Sequence, residues 1–197
     1  MLDAKEGELA IALARKTIEE YLKTGNRLNP EDENLPPIFQ ELRGVFVTLN
    51  KKDDLRGCIG HPYPDSILQD ALVDSAISAA THDPRFPEVI SDELPSITIE
   101  VSILTPPEKI AASPQELPQL IEIGKHGLIV KQGFYQGLLL PQVAPENNFD
   151  AVDFLSHTCL KAGLSPDAWL TGAEVYWFEG QIFSEKTPAG EVVEKQF

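Results

Sequence analysis

Ile97, Ile99, Val101 and Ile103 take every second position of a run in which Thr98, Glu100 and Ser102 fall between them. A period of two puts the branched residues on one face of an extended strand and the polar residues on the other, so this chain must build a sheet with one buried face. Thr105-Pro106-Pro107 ends the run. Gly44–Leu49 has strand composition and is bounded by turn residues from Asn50 to Asp54. Gly127–Lys131 and Gly137–Leu140 flank the turn residues Gln132 and Gly133, and Glu174–Phe183 alternates as one long strand.

Three segments carry the helical period instead. Residues 6–23 place Ile11, Ala14, Ile18, Tyr21 and Leu22 at helical spacing, with Gly25 at the position of a left-handed cap. Asp65 is expected to cap a helix whose apolar residues run from Ile67 to Ala80 and which Asp83-Pro84 stops. Asp150 opens a third helix, with Val152, Leu155 and Cys159 on one face, closing near Gly163. Strand, helix and strand therefore occur twice, from Gly44 to Leu104 and from Gly137 to Phe183, which predicts an internal duplication without sequence repetition. The fold class is α+β, a largely antiparallel sheet flanked by helices.

A chain of 197 residues is long enough for one sizeable globular unit, and no apolar run reaches the roughly 18 residues of a membrane span. The first residues carry acids where a secretory leader would be basic and then apolar, so a cytoplasmic location is expected. Cys58 and Cys159 are too few for a disulfide framework, and no paired-cysteine or two-histidine spacing calls for a metal. No glycine-rich strand-to-helix turn marks a nucleotide cofactor, and the sequence names no cofactor of any kind. A net charge of −15 opposes nucleic-acid binding. One island departs from it: Arg43, Lys51, Lys52 and Arg56 face only Asp53 and Asp54 between residues 43 and 61.

That island holds Leu55-Arg56-Gly57-Cys58-Ile59-Gly60. In an extended strand Arg56 and Cys58 would share a face with Cα atoms about 6.6 Å apart, close enough for a guanidinium to favour a thiolate nucleophile at Cys58. Gly57 and Gly60 would offer backbone N–H groups to an oxyanion or phosphate. The same residues also read as structure: Cys58 as a small buried side chain, Arg56 paired with an acid, the glycines at a bulge or tight crossing. A nucleophile needs a base; His82, His61 and Glu100 are the candidates, with Glu100 also able to orient Arg56. Arg85 is a candidate second anion contact and Gln142, at a strand end, a candidate binding group. Gly124-Lys125-His126-Gly127 imitates a backbone-clamping GXXG loop, but a strand rather than a helix follows it, so it reads as a turn between strands.

Gly44–Val47, Leu55–Gly60, Asp83-Pro84-Arg85-Phe86, Ile99–Leu104 and Gly137–Ala144, continued by Lys161–Leu164, Trp169 and Val175–Phe178, together resemble the AMMECR domain family, named after a human chromosomal disease region. The resemblance covers nearly the whole chain. It implies a single domain in which both chain ends, about residues 1–49 and 96–197, form a larger antiparallel-sheet lobe. A smaller lobe, about 50–95, would bear the hexapeptide, with a cleft between the two around Arg56 and Cys58. It supplies no reaction, and it implies association with Memo-type and radical SAM-type proteins. Asn147–Asp150 departs from the pattern where relatives carry a tryptophan. The leading expectation is a small anionic or carbonyl-containing ligand, bound with or without thiol-dependent catalysis. The alternatives are a scaffold for protein partners and, against the charge, a nucleic-acid binder.

Overall fold

The computed structural model describes residues 1–52 and 54–195; Asp53, one of the two acids of the basic island, lies outside the described residues. In chain order the first elements are α1 (Ala4–Thr24), β1 (Gly44–Lys51), β2 (Asp54–His61), α2 (Leu68–Thr81) and β3 (Ile97–Leu104). They are followed by β4 (Glu108–Lys109), α3 (Leu117–Leu120), β5 (Gly127–Gln132), β6 (Tyr135–Leu139), α4 (Val143–Glu146) and α5 (Ala151–Lys161). β7 (Glu174–Phe178), β8 (Gly180–Glu185) and β9 (Val192–Lys195) complete the chain. Contacts divide it into two compact units, Met1–Leu104 with the chain from Gln181, and Thr105–Gly180. Residues 50 and 95, where lobe boundaries were expected, both fall inside the first unit, because β2 and α2 pack on β1.

The first unit is a sheet ordered β2-β1-β3-β8-β9 with α1 and α2 against one face. α1 starts where the Asp3 carboxylate accepts the Glu6 N–H and the Glu6 carboxylate accepts the Asp3 N–H. It stops at Gly25, whose φ of 75° costs a residue without Cβ nothing. α2 does not use Asp65; it begins at Leu68 with no side-chain cap, and the Leu68 N–H goes to the Glu41 carbonyl at 2.8 Å. Val45, Val47, Leu49, Ile97, Ile99 and Val101 are fully buried under the helices. Arg15 on α1 donates to both oxygens of the buried Glu185 on β8, at 2.7 and 2.5 Å, and to the Ile97 carbonyl at 2.8 Å. Glu185 also accepts the Ile99 N–H at 2.9 Å, so this buried charge has a cation and a backbone donor, as a buried carboxylate requires.

The second unit is a sheet ordered β4-β7-β5-β6, whose core joins Leu128, Val130 and Val175 to Phe154, Leu155 and Cys159 of α5. Phe149, in the segment that lacks the expected tryptophan, stacks on His157 with ring centroids 4.1 Å apart. The long strand expected over Glu174–Phe183 is two strands of different sheets. It breaks at Glu179, whose N–H and C=O are both taken by Thr105, and alternation in a sequence carries no mark of such a change.

Each unit contains the same topology. A hairpin, β1–β2 or β5–β6, is followed by a helix, α2 or α5, and by a strand, β3 or β7, that pairs antiparallel with the first strand on its free side. The duplication is therefore real, but its second copy runs from Gly127 rather than Gly137. Registers match position by position: Leu49 stands between Gly57 and Ile99, and Val130 between Gly137 and Val175. The two glycines do the same work. A Cβ on Gly57 would strike the Ala79 carbonyl oxygen of α2, and one on Gly137 would strike the backbone of Ala162 at the end of α5. Gly57→Ala and Gly137→Ala should each cost about 1–3 kcal/mol by overpacking, measured by urea unfolding. Equal stability in either variant would contradict the shared crossing.

Candidate functional site

The hexapeptide lies on β2, but its alternation is interrupted. Leu49 pairs with Gly57 and Asn50 with Leu55, which leaves Arg56 as the extra residue of a bulge. Arg56 and Cys58 therefore do not share a face. Arg56 donates from Nε and Nη2 to the two carboxylate oxygens of Glu93, at 3.3 and 2.9 Å. Nη1 donates to the Pro87 carbonyl at 2.8 Å, and Nη2 also to that of Glu88 at 3.3 Å. Lys51, which continues the helix-facing row of Val45, Val47 and Leu49, reaches the same Glu93 at 2.7 Å. The two cations hold the Glu93 carboxyl down at about 2. Arg43 likewise pairs with Glu41, so three cations of the basic island are matched by acids. Arg56 is a clamp on the segment from Pro87 to Glu93, and its guanidinium is mostly buried in that work.

Cys58 faces the other way, half-buried beside Thr48, whose hydroxyl donates to Sγ at 3.2 Å. Its backbone is held at both ends. The Cys58 N–H donates to Asp83 Oδ2 at 2.8 Å, and its carbonyl accepts Arg85 Nη2 at 3.3 Å. Asp83 is buried and also accepts the Arg85 N–H, Nε and Nη2, the last at 2.7 Å. The Arg85 bond, with the Cys58 and Arg85 N–H groups, holds the Asp83 carboxyl far below the usual carboxylate range against the cost of burial. Arg85, in turn held charged first by Asp83 and in smaller part by the Cys58 side chain, is about half exposed. The cation beside the thiol is Arg85.

Across the sheet Thr48 stands between Cys58 and Glu100, forming one row over β2, β1 and β3 on the face away from the helices. Glu100 pairs with Lys195 of β9 at 2.7 Å, not with Arg56. Toward β9 the same face opens into a groove of about 300 Å³, lined by Asn50, Thr98, Ser184, Lys186 and Lys195 among others. Gly60 makes room for the Phe46 ring and, like Gly57, admits a neighbour within the fold. His82 caps the end of α2, with Nδ1 2.8 Å from the Thr81 hydroxyl, and His61 is exposed at the end of β2. Neither histidine hydrogen-bonds Cys58 Sγ among the described residues. Gln142 belongs to the second unit, next to α4, with its Oε1 buried and unpaired. Among the described residues no group of three or more His, Cys, Asp and Glu side chains could hold a metal. Among the described residues no helix is long and apolar enough to cross a membrane.

The duplication separates scaffold from site. At the second unit's equivalent of Cys58, Thr48 and Glu100 stand Leu138, Ile129 and Tyr176. The glycine beneath the helix is common to both copies; the thiol, hydroxyl and carboxylate row belongs to the first alone. Thr48, Asp83 and Glu93 escape a reading of the sequence for different reasons. Thr48 meets Cys58 only through the hairpin register. Asp83, two residues before Arg85, offers a local signal, whereas Glu93 is one acid among many.

The AMMECR1 family model matches residues 11–183. The chain belongs to the AMMECR1 family. A Methanosarcina mazei protein is 66% identical over the full length of both chains, and one from Methanocaldococcus jannaschii is 52% identical, with 98% of it covered. The crystal structure of an uncharacterised protein from Pyrococcus horikoshii, at 46% identity, superposes with a TM-score of 0.87 over 100% of this chain and 99% of that one. In this AMMECR1 chain the Arg56 clamp, like the Gly57 crossing, is a part of the hexapeptide whose loss should show in stability. Glu93→Gln should cost about 2–3 kcal/mol at neutral pH, since it leaves Arg56 and Lys51 without their acid. The Glu93 contribution is present above its ordinary value of 4.5 and is lost as pH falls toward about 2. Urea midpoints should therefore fall more steeply over that interval in the parent than in Glu93→Gln; parallel curves would contradict the clamp.

Proposed function

We propose that the outer face of the first sheet binds a small molecule with an anionic or carbonyl group, Cys58 Sγ being the group that meets it. The observation that carries the reading is the Cys58–Thr48–Glu100 row. It is polar and half-buried where the duplicate copy has Leu138, Ile129 and Tyr176. Thr48 fixes the thiol, Asp83 and Arg85 fix its backbone, and the exposed guanidinium of Arg85 presents positive charge beside it. The groove beyond Glu100 gives the remainder of a ligand room and polar contacts. Arg56 supports this face from behind rather than binding the ligand.

The chemistry supported is recognition with a thiol in contact. General-base catalysis has no group in place, because no histidine reaches Sγ among the described residues and Glu100 is engaged by Lys195. Negatively charged iodoacetate and neutral iodoacetamide test the reading, with their relative rates on free cysteine as the reference. A positive surface at Cys58 should raise the iodoacetate to iodoacetamide ratio about threefold or more, and Arg85→Gln should return it to the reference. A ratio equal to the reference in both proteins would contradict the reading. The outer face would then be better explained as a docking surface for Memo-type or radical SAM-type proteins.

A further inference from the structure

Each sheet ends in two edge strands, and an edge left bare is a template for another chain. Three of these edges are blunted. On β2 the Cys58 N–H and carbonyl are taken by Asp83 and Arg85. β4 is only Glu108 and Lys109, and β9 carries Glu194 and Lys195. The fourth edge, β6, reads Tyr135-Gln136-Gly137-Leu138-Leu139, without a charge. It has β5 along one side and α5 against one face. Its ends are apolar and open to water: Phe134, in the turn before it, is fully exposed, Tyr135 is 59% exposed, and Leu139 and Leu140 are half-buried.

The duplication shows which backbone groups face the open side. Leu138 is the equivalent of Cys58, whose N–H and C=O point away from β1 to Asp83 and Arg85. Antiparallel alternation turns the same groups of Gln136, two residues back, outward as well. After α5 the Ser165 hydroxyl goes to Asp167, and among the described residues no side chain, turn or loop bonds the backbone of Gln136 or Leu138. The charge pattern changes here too. Between Glu122 and Glu146 there is no acid, in a chain that has 31, so this stretch alone can meet its own copy without carboxylates opposing each other.

We propose that β6 is an interaction surface for a second copy of this chain, the two β6 strands pairing antiparallel across a two-fold axis at Gly137. Gln136 of each copy exchanges both outward backbone bonds with Leu138 of the other, which satisfies every group the edge leaves open. That register is also the one the side chains fit. It sets Tyr135 opposite Leu139 and Phe134 opposite Leu140, so the aromatic start of one strand covers the leucines at the end of the other, and such cross-strand pairs are stabilising. Gly137 meets its own copy at the axis, where each strand passes closest to its α5. The surface is built wholly from the second unit and stands independently of the reading of Cys58.

Sedimentation of the full chain at about 0.3 M salt, where repulsion between two acidic molecules is screened, tests the proposal together with amide hydrogen exchange. So short an edge makes a weak dimer, with an expected Kd of about 100 µM or below. Raising the protein from about 10 µM to about 1 mM should then slow exchange at Gln136 and Leu138 at least about threefold, as their N–H groups find acceptors. Gln136→Pro removes an outward donor and no bond within the copy, and should leave a folded monomer at about 1 mM. Phe134→Ser, at a fully exposed side chain, should raise Kd about fivefold by weakening a pair on each side of the axis. A dimer that either folded variant leaves unchanged, or one that slows exchange elsewhere but not at Gln136 and Leu138, would overturn the proposal. So would a chain still monomeric at about 1 mM, which would leave the edge to a strand of a different protein.

Discussion

A helix can cross a strand closely only where the strand has no Cβ, and both units of this protein are arranged around such a crossing. Gly57 lies beneath Ala79 and Gly137 beneath Ala162. With the glycine fixed on the helix side, strand alternation fixes its successor on the other side. Cys58 is turned to the outer face because Gly57 is required on the inner one. The order of glycine and cysteine in the hexapeptide is thus a packing requirement before it is a chemical one. The duplicate copy keeps the first part of that order and places Leu138 where the thiol would be.

The charges around the thiol divide in the same way. Arg56, displaced by the bulge to the helix side, meets Glu93 and two carbonyls and holds the segment that follows α2. Asp83 lies buried under the Cys58 N–H, with Arg85 directed outward from it. An acidic protein thereby presents, beside a thiol, a half-exposed guanidinium held by the buried Asp83, while Arg43, Lys51 and Arg56 are paired with Glu41 and Glu93. Substitutions at Arg56 and at Arg85 should accordingly have different phenotypes, one in stability and one in recognition.

Much of this fold is legible in the sequence. The alternation of Ile97–Leu104, the helical spacing from Ile11 to Leu22 and the cap at Gly25 act over one or two turns, and each appears in the structure. The assignment of Glu174–Phe183 to one strand fails because β7 and β8 differ only in the sheet that receives them, which local pattern does not encode. The expected shared face of Arg56 and Cys58 fails through one inserted residue, since a bulge reverses every inference made by counting twos. Cys58, Arg85 and Glu100 are visible as reactive or charged residues. Thr48 becomes part of the site only once the hairpin register pairs it with Cys58, and Lys195 only through its ion pair with Glu100.

Gly57 and Arg56 give the hexapeptide its role in the fold, and Cys58 gives it the proposed role toward a ligand. A crystallographic soak with small carboxylates and aldehydes separates the two roles. A molecule should appear on the outer face of the first sheet, in contact with Cys58 Sγ and with its oxygen toward Arg85, while Arg56 stays bonded to Glu93. An outer face that remains empty, or an Arg56 released from Glu93 to take the carboxylate, would contradict that division.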